Sequence, residues 1–261
     1  MEYKKIITID SLFRENRDTS KSGDFRVHLR DNIINVISMK LHDIVLPYSW
    51  YRISKEQGNN TLIISDTDGS DTLYTLPDGN YDSLSNISSA LFLPSTSYTL
   101  TQEPHTKKVC IKNNPLPGTK FIVKLSAHVG DDDTRGLAWL LGFRKKTECK
   151  KEHTGEGILL IGEDMRCRYF YLVVDDDKSI DNFNAESMNR KKFVNGFILA
   201  RLIIQIQDNT LSHVRFEKHT RIYDGPCDIN KLDIKLIDEW GYIVNLNDME
   251  LSLSLELTIK L

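Results

Sequence analysis

The sequence predicts an all-β protein built from antiparallel strands, and three observations carry that prediction. The C-terminus alternates without a break: Leu251, Leu253, Leu255, Leu257, Ile259 and Leu261 are separated by Ser252, Ser254, Glu256, Thr258 and Lys260. Period two is the period of a strand with one buried and one wet face. Many further short apolar runs are punctuated by turn residues such as Asp68-Gly69, Asp78-Gly79, Asn113-Asn114-Pro115, Asp224-Gly225-Pro226 and Trp240-Gly241, the spacing of a sandwich or barrel. Helical periodicity is scarce and does not alternate with strands, which disfavours a parallel α/β fold.

In chain order, Phe25, Val27 and Leu29 alternate with Arg26, His28 and Arg30. The run Ile37, Met39, Leu41 then shifts phase to Ile44 and Leu46, which predicts a bulge near His42-Asp43. Strands are expected at Thr61–Ile64, Leu73–Leu76, Ser97–Thr101, Lys108–Lys112, Lys120–Leu125, Tyr169–Val174, His213–Glu217, Leu232–Ile237 and Tyr242–Asn245. Ile198, Ala200, Leu202, Ile204 and Ile206 form one face of a deeper strand whose other face (Leu199, Arg201, Ile203, Gln205, Gln207) is only partly polar. Leu84, Ile87 and Leu91 predict a short helix capped by Asp82 or Ser83. Leu137, Leu140 and Leu141 predict a second, capped by Thr134 and stopped by Gly142.

The expected organisation is an N-terminal arm over 1–24, a β-rich portion with two short helices over 25–150 and a C-terminal β-sandwich portion over 151–261, the last two being separate or one domain with insertions. Residues 1–24 carry Arg14, Arg17 and Lys21 and few apolar anchors after Phe13, as an arm ordering on a neighbouring subunit would. Arg144–Gly157 is polar and charged and reads as a long exposed loop or a joint. Asp175–Lys192 reads as a second polar connection.

Chemistry-bearing motifs are absent. A net charge of −3 draws the chain neither to a phosphate backbone nor to an anionic membrane, so direct nucleic-acid binding and membrane insertion are not expected. No signal-peptide core, myristoylation site or apolar span of membrane length is present, which places synthesis in a cytosol-like compartment. Cys110, Cys149, Cys167 and Cys227 share no metal-binding spacing and read as free thiols. Asp131-Asp132-Asp133 and Asp175-Asp176-Asp177 lack the alternation of a calcium loop and read as solvated loops. Gly155-Glu156-Gly157 is too short for a phosphate cradle, and the basic runs Arg144-Lys145-Lys146 and Arg190-Lys191-Lys192 read as solvated loops. No HExxH and no nucleophile elbow occur. The chain is thus expected to be a non-enzymatic structural and binding protein without catalytic residues, cofactor or metal. Pro47-Tyr48-Ser49-Trp50-Tyr51 concentrates aromatics after a strand end. Tyr48, Trp50 and Tyr51 are therefore core-corner or interface candidates, as is the turn Tyr223, Asp224, Gly225, Pro226.

Two stretches resemble a known family. The first comprises Phe25–Leu29, Ile34–Leu41, Leu46-Pro47-Tyr48-Ser49-Trp50-Tyr51, Asn59-Asn60-Thr61-Leu62, Leu76-Pro77-Asp78-Gly79-Asn80-Tyr81 and Leu140-Leu141-Gly142-Phe143. The second comprises Tyr223–Pro226, Ile229, Leu232, Ile234, Leu236-Ile237-Asp238-Glu239-Trp240-Gly241 and Val244-Asn245-Leu246-Asn247, running into the terminal strand. Together they resemble the minor capsid and penton-type proteins of nucleocytoplasmic large DNA viruses and their polinton-like relatives. The resemblance implies a jelly-roll β-sandwich in the icosahedral shell of a virion, with five copies at each vertex. Its partners would be itself and other capsid proteins. It transfers no catalytic residue. More strands are counted than the eight of one jelly roll, which leaves room for a second β-module and for a shell position other than the vertex. A β-sandwich attachment or fibre-like protein gripping carbohydrate or a host surface is the competing binding class.

Overall fold

The computed structural model describes residues 1–92, 98–114, 119–125, 136–145, 149–159, 169–178, 197–207 and 210–261, and for 205–207 and 210–218 it describes the backbone. It forms two compact units, one from Met1–Trp50 and Cys167–Leu261, the other from Tyr51–Arg166. The boundaries therefore fall at 50/51 and 166/167, not at 24/25 and 150/151. The second unit is an insertion into the first. Among the described residues all strand pairings are antiparallel, and the fold is all-β and jelly-roll-like with two short α-helices.

The first unit is one seven-stranded sheet. Its strands are β1 (Glu2–Asp10), β2 (Asp24–Val45), β9 (Tyr169–Asp175), β10 (Ile198–Gln207), β11 (Thr210–Lys218), β12 (Thr220–Ile237) and β13 (Ser252–Lys260). They are ordered β1-β13-β2-β12-β9-β10-β11. β10 and β11 return to touch β2, several strands away in the order, so the sheet curls around one core. That core includes Met39, Leu41, Phe170, Leu202, Leu232, Leu236, Leu255 and Leu257, all 1% exposed or less. The terminal strand buries Leu251 through Ile259 at every second residue as its alternation predicts, while Leu261 is exposed.

Bulges let the 22-residue β2 bend around this core. Its buried residues from Ile33 on are Ile33, Val36, Met39, Leu41 and Ile44, and each step of three in that series coincides with an extra residue. Leu41 pairs Leu255 and Asp43 pairs Ser254, leaving His42 over, where the phase change places it. Ser38 pairs Thr258 and Val36 pairs Ile259, leaving Ile37 over and off the core face. β10 flips phase likewise at Leu199, between the paired residues Ile198 and Ala200. Leu199 and Ala200 enter the main core, and Ile198 joins Val173 and Ile237 in a small cluster on the opposite face.

The expected N-terminal arm is in fact a sheet strand. β1 pairs β13 without interruption from Glu2–Lys260 to Asp10–Ser252. The following segment is anchored by Arg14, whose Nη1 donates to both Glu250 carboxylate oxygens at 2.8 and 2.7 Å. Arg14 is 7% and Glu250 21% exposed at the side chain, so this basic residue packs within its own unit and not as part of an arm laid on a neighbouring subunit.

The second unit packs two three-stranded sheets about one core. One sheet is β4 (Asp71–Thr75), β3 (Thr61–Asp66) and β7 (Phe121–Lys124); the other is β5 (Tyr98–Gln102), β6 (Lys108–Asn113) and β8 (Glu152–Ile158). Leu62, Ile64, Phe121 and Val123 of the first meet Leu100, Val109 and Ile111 of the second. All of β8 but its last residue lies within the expected loop over Arg144–Gly157. Its inward residues are His153 and Gly155, neither apolar, so no alternation betrays the strand. Helix α1 (Leu84–Phe92) buries Ile87, Leu91 and Phe92, and Ser83 caps it by accepting the Asn86 amide at 3.2 Å. Helix α2 (Leu137–Leu140) has Gly136 as its N-cap rather than Thr134, which lies outside the described residues. It ends at Gly142 as expected: φ is +98°, and the amides of Gly142 and Phe143 bond the carbonyls of Trp139 and Ala138, the two bonds of a Schellman motif.

Candidate functional site

The aromatic corner is a fastening point of the first unit. Trp50 is 3% exposed and stands edge-on to Tyr48 at 4.9 Å and to Phe170 at 5.0 Å. Tyr48 is half-buried against the same core, and Tyr51 is 42% exposed. Between the rings, Ser49 Oγ donates to the Leu246 carbonyl at 2.6 Å, and Asn247 Nδ2 donates back to the Ser49 carbonyl at 2.5 Å. Asn247 and Asp248 adopt positive φ, a conformation asparagine tolerates better than most residues. The Tyr48–Trp50 and Val244–Asn247 stretches, joined by bonds between residues 197 and 198 positions apart, thus form one joint.

A parallel arrangement holds the second unit. Asn59 Nδ2 donates to the Arg52 carbonyl at 2.7 Å and its Oδ1 accepts the Ser54 amide at 2.8 Å. Asn80 Oδ1 accepts the Arg52 amide, Asp78 Oδ1 the Lys55 amide, and Asn60 exchanges bonds with Leu76. Asn59 and Asn60 are each 5% exposed, so these amides serve the backbone, as buried polar groups must.

Tyr223, Asp224, Gly225 and Pro226 do not form a turn. They lie inside β12, where the pairing with β2 jumps from Ile222–Ser38 to Cys227–Val36, so the segment bulges out of the ladder. Asp224, Gly225 and Pro226 are exposed, and no atom lies within 4 Å of a Cβ placed on Gly225. Tyr223 points inward, 8% exposed. Its hydroxyl donates to Asp176 Oδ2 at 2.5 Å, and Arg221 Nη1 donates to the same oxygen at 3.0 Å. Arg221 Nη2 reaches the Phe197 carbonyl at 2.8 Å, and Asp176 Oδ1 accepts the Lys178 amide at 3.0 Å. Burial first, and then the Asp176 charge, push the Tyr223 phenol far above its ordinary range. Asp176 is therefore not part of a solvated triplet. Its side chain is 0% exposed, Asp177 turns outward to pair with Lys231, and Asp175 accepts the Asp177 amide. The pairing of Asp176 with an arginine 45 residues away leaves no mark in the local sequence.

The remaining candidate chemistry is quiet. Burial, followed by Glu152, pushes the Cys110 thiol up to about 11, and burial raises Cys227 as well. Both stay protonated near neutral pH, where a nucleophile or metal ligand needs the thiolate. Asp131–Asp133, Cys167, Arg190–Lys192 and Lys146 lie outside the described residues. No helix among the described residues is long and apolar enough to cross a membrane.

One surface grouping has no counterpart in the sequence reading. On the face of β9 away from the main core, Tyr169 and Tyr171 stand 5.2 Å apart, and the Arg201 guanidinium lies 4.1 Å over the Tyr169 ring. The turn after β12 opens beside them, because Ile237 pairs Tyr171. Asp238 Oδ1 accepts the amides of Trp240 and Tyr242 there. Burial, then Tyr171, lifts the Tyr169 phenol to about 12. These residues come from strands 30 positions apart or more, so only the register assembles them.

No family model matches the sequence, and no curated protein matches it. Among solved structures, the selenomethionine-labelled mavirus penton protein is similar to this chain with a TM-score of 0.46 at 10% sequence identity, over 98% of this chain and 99% of that one.

Proposed function

We propose that this chain is a structural protein of a large double-stranded DNA virus, a penton or minor capsid component of the icosahedral shell, and not an enzyme. The observation that carries the reading is where the resembling stretches lie. Ser49 with Leu246 and Asn247 fastens segments 197 and 198 residues apart, and Asn60 with Leu76 and Arg52 with Asn80 fasten segments 16 and 28 residues apart. What the resemblance transfers is therefore an architecture and not a set of reactive groups. A shell protein needs that: rigid joints, bulged strands that curve a sheet, and exposed edges and loops for neighbours. The partners under this reading are copies of the chain and other capsid proteins, and the chain acts in the virion after synthesis in the host cytoplasm.

Mass spectrometry of purified virions from the source of this sequence tests the reading. The chain is expected among the shell proteins at a fixed ratio to the major capsid protein, and its absence overturns the assignment. A ratio matching five copies per vertex selects the penton position, and any other fixed ratio selects a minor capsid position.

A host-attachment role is favoured by one grouping, the Tyr169–Tyr171–Arg201 cluster with the Trp240–Tyr242 turn beside it. Aromatic faces next to charged side chains suit carbohydrate. Glycan-array binding lost in Tyr171→Ala would support this second role, and a blank array would remove it.

A further inference from the structure

We propose that the outer edge of β1 is a two-fold contact at which a second copy of this chain adds its own β1 in antiparallel register. Among the described residues, β1 is an end strand of the seven-stranded sheet and pairs only β13. At its two ends, Ser11 N–H donates to the Leu251 carbonyl and Leu261 N–H to the Met1 carbonyl. Odd-numbered residues of β1 thus aim their backbone groups at β13. In an antiparallel ladder the intervening residues aim theirs the other way, so Lys4, Ile6 and Thr8 present N–H and C=O groups at the free edge. Of the usual defences of an edge the strand carries charged side chains, Lys4 and Lys5, but it has nine residues, no proline and no bulge, and Ile6 is 52% exposed.

The side chains select the occupant and the register. A two-fold pairing that keeps both core faces on the same side must match even residues with even ones. Placing Lys4 opposite Asp10 brings Ile6 opposite Thr8 and puts the two Ile7 residues together on the axis. Both Lys4–Asp10 pairs are then of opposite charge, which is favourable for directly facing residues. The neighbouring registers are poorer: one sets Glu2 against Asp10, and the other, centred on Thr8, sets Ile6 against Asp10 over a shorter overlap. The strand is therefore complementary to itself in one register. The contact rests on β1 alone and does not depend on the shell assignment; within a shell it would join two capsomers or two minor subunits across a local two-fold axis.

Two variants of the full-length chain test it. Ile6→Pro removes an amide that faces the free edge and leaves the β13 ladder intact, because proline is tolerated where the N–H points to solvent. The wild type is expected to sediment as a dimer, or as paired higher oligomers. Ile6→Pro is expected to halve that mass while keeping the wild-type circular dichroism spectrum and a cooperative melt that no longer depends on protein concentration. Ile7→Cys, oxidised in solution, is expected to yield a Cys–Cys cross-linked peptide between the two copies of position 7, absent from wild type treated alike. Facing residues at a non-hydrogen-bonded site lie within disulfide reach. A monomeric wild type, or a dimer that survives Ile6→Pro and gives no such peptide, overturns the proposal. Neither result bears on whether the chain is found in virions.

Discussion

The hydroxyl of Tyr223 donates a 2.5 Å hydrogen bond to the buried carboxylate of Asp176, which also holds Arg221 at 3.0 Å. This trio ties the bulged part of β12 to the end of β9 inside the first unit. Its members are unequal in consequence. Tyr223→Phe removes one donor and is expected to cost about 1–3 kcal/mol, the penalty for leaving a buried acceptor short of a partner. Arg221→Met leaves the Asp176 charge buried without its counter-ion and is expected to cost about 3–5 kcal/mol. Urea unfolding of both variants checks the order, and an Arg221→Met protein as stable as Tyr223→Phe would contradict it.

Trp50→Ala is expected to lower stability by about 3–5 kcal/mol, the range for deleting a large buried aromatic. The ring fills the space between Tyr48 and Phe170 at 3% exposure. The exposed Tyr51 provides the contrast, and Tyr51→Ala is expected within about 0.5 kcal/mol of wild type. Equal losses at the two positions would remove the distinction between corner and surface.

Gly142→Ala is expected to destabilise the second unit by about 2 kcal/mol or more, combining left-handed backbone strain with a clash. A Cβ there would sit 2.4 Å from the Gly157 carbonyl oxygen, and Gly155 approaches the same residue from β8. The pair Gly155 and Gly157, unsuited to cradle phosphate, is thus explained by the close crossing of β8 over the end of α2. A Gly142→Ala protein that melts with wild type would sink this account.

Acid should loosen the second unit through His153. Its ring nitrogen Nε2 lies 2.7 Å from the Phe121 carbonyl, so a β8 residue is tied to β7 of the other sheet. Burial, chiefly, holds its pKa below the ordinary 6.5; Lys150 lowers it further, while Glu156 and the Phe121 carbonyl oppose the shift. A depressed histidine leaves the folded state with fewer protons than the unfolded one below pH 6.5. The stabilisation is thus complete above that pH and is lost as pH falls toward and through the folded-state pKa. Melting temperature measured from pH 7.5 to 5 should fall less steeply in His153→Gln than in wild type. Identical slopes would assign the acid sensitivity elsewhere.

The alternation of Leu251–Ile259 determined β13, and the phase break after Leu41 located the His42 bulge, because a strand with one dry face writes its geometry directly into apolar spacing. Ser83 and Gly142 likewise announced helix ends through local backbone bonding. β8 was illegible because its inward positions are histidine and glycine, and β1 because Tyr3 and Lys5 occupy half of its inward face. The insertion of 51–166 into a sheet made from both chain ends, the burial of Asp176 and the joint between Ser49 and Asn247 were decided only by tertiary structure. Each depends on which distant segment arrives as a neighbour, and sequence periodicity records the face a residue takes but not the partner it meets there.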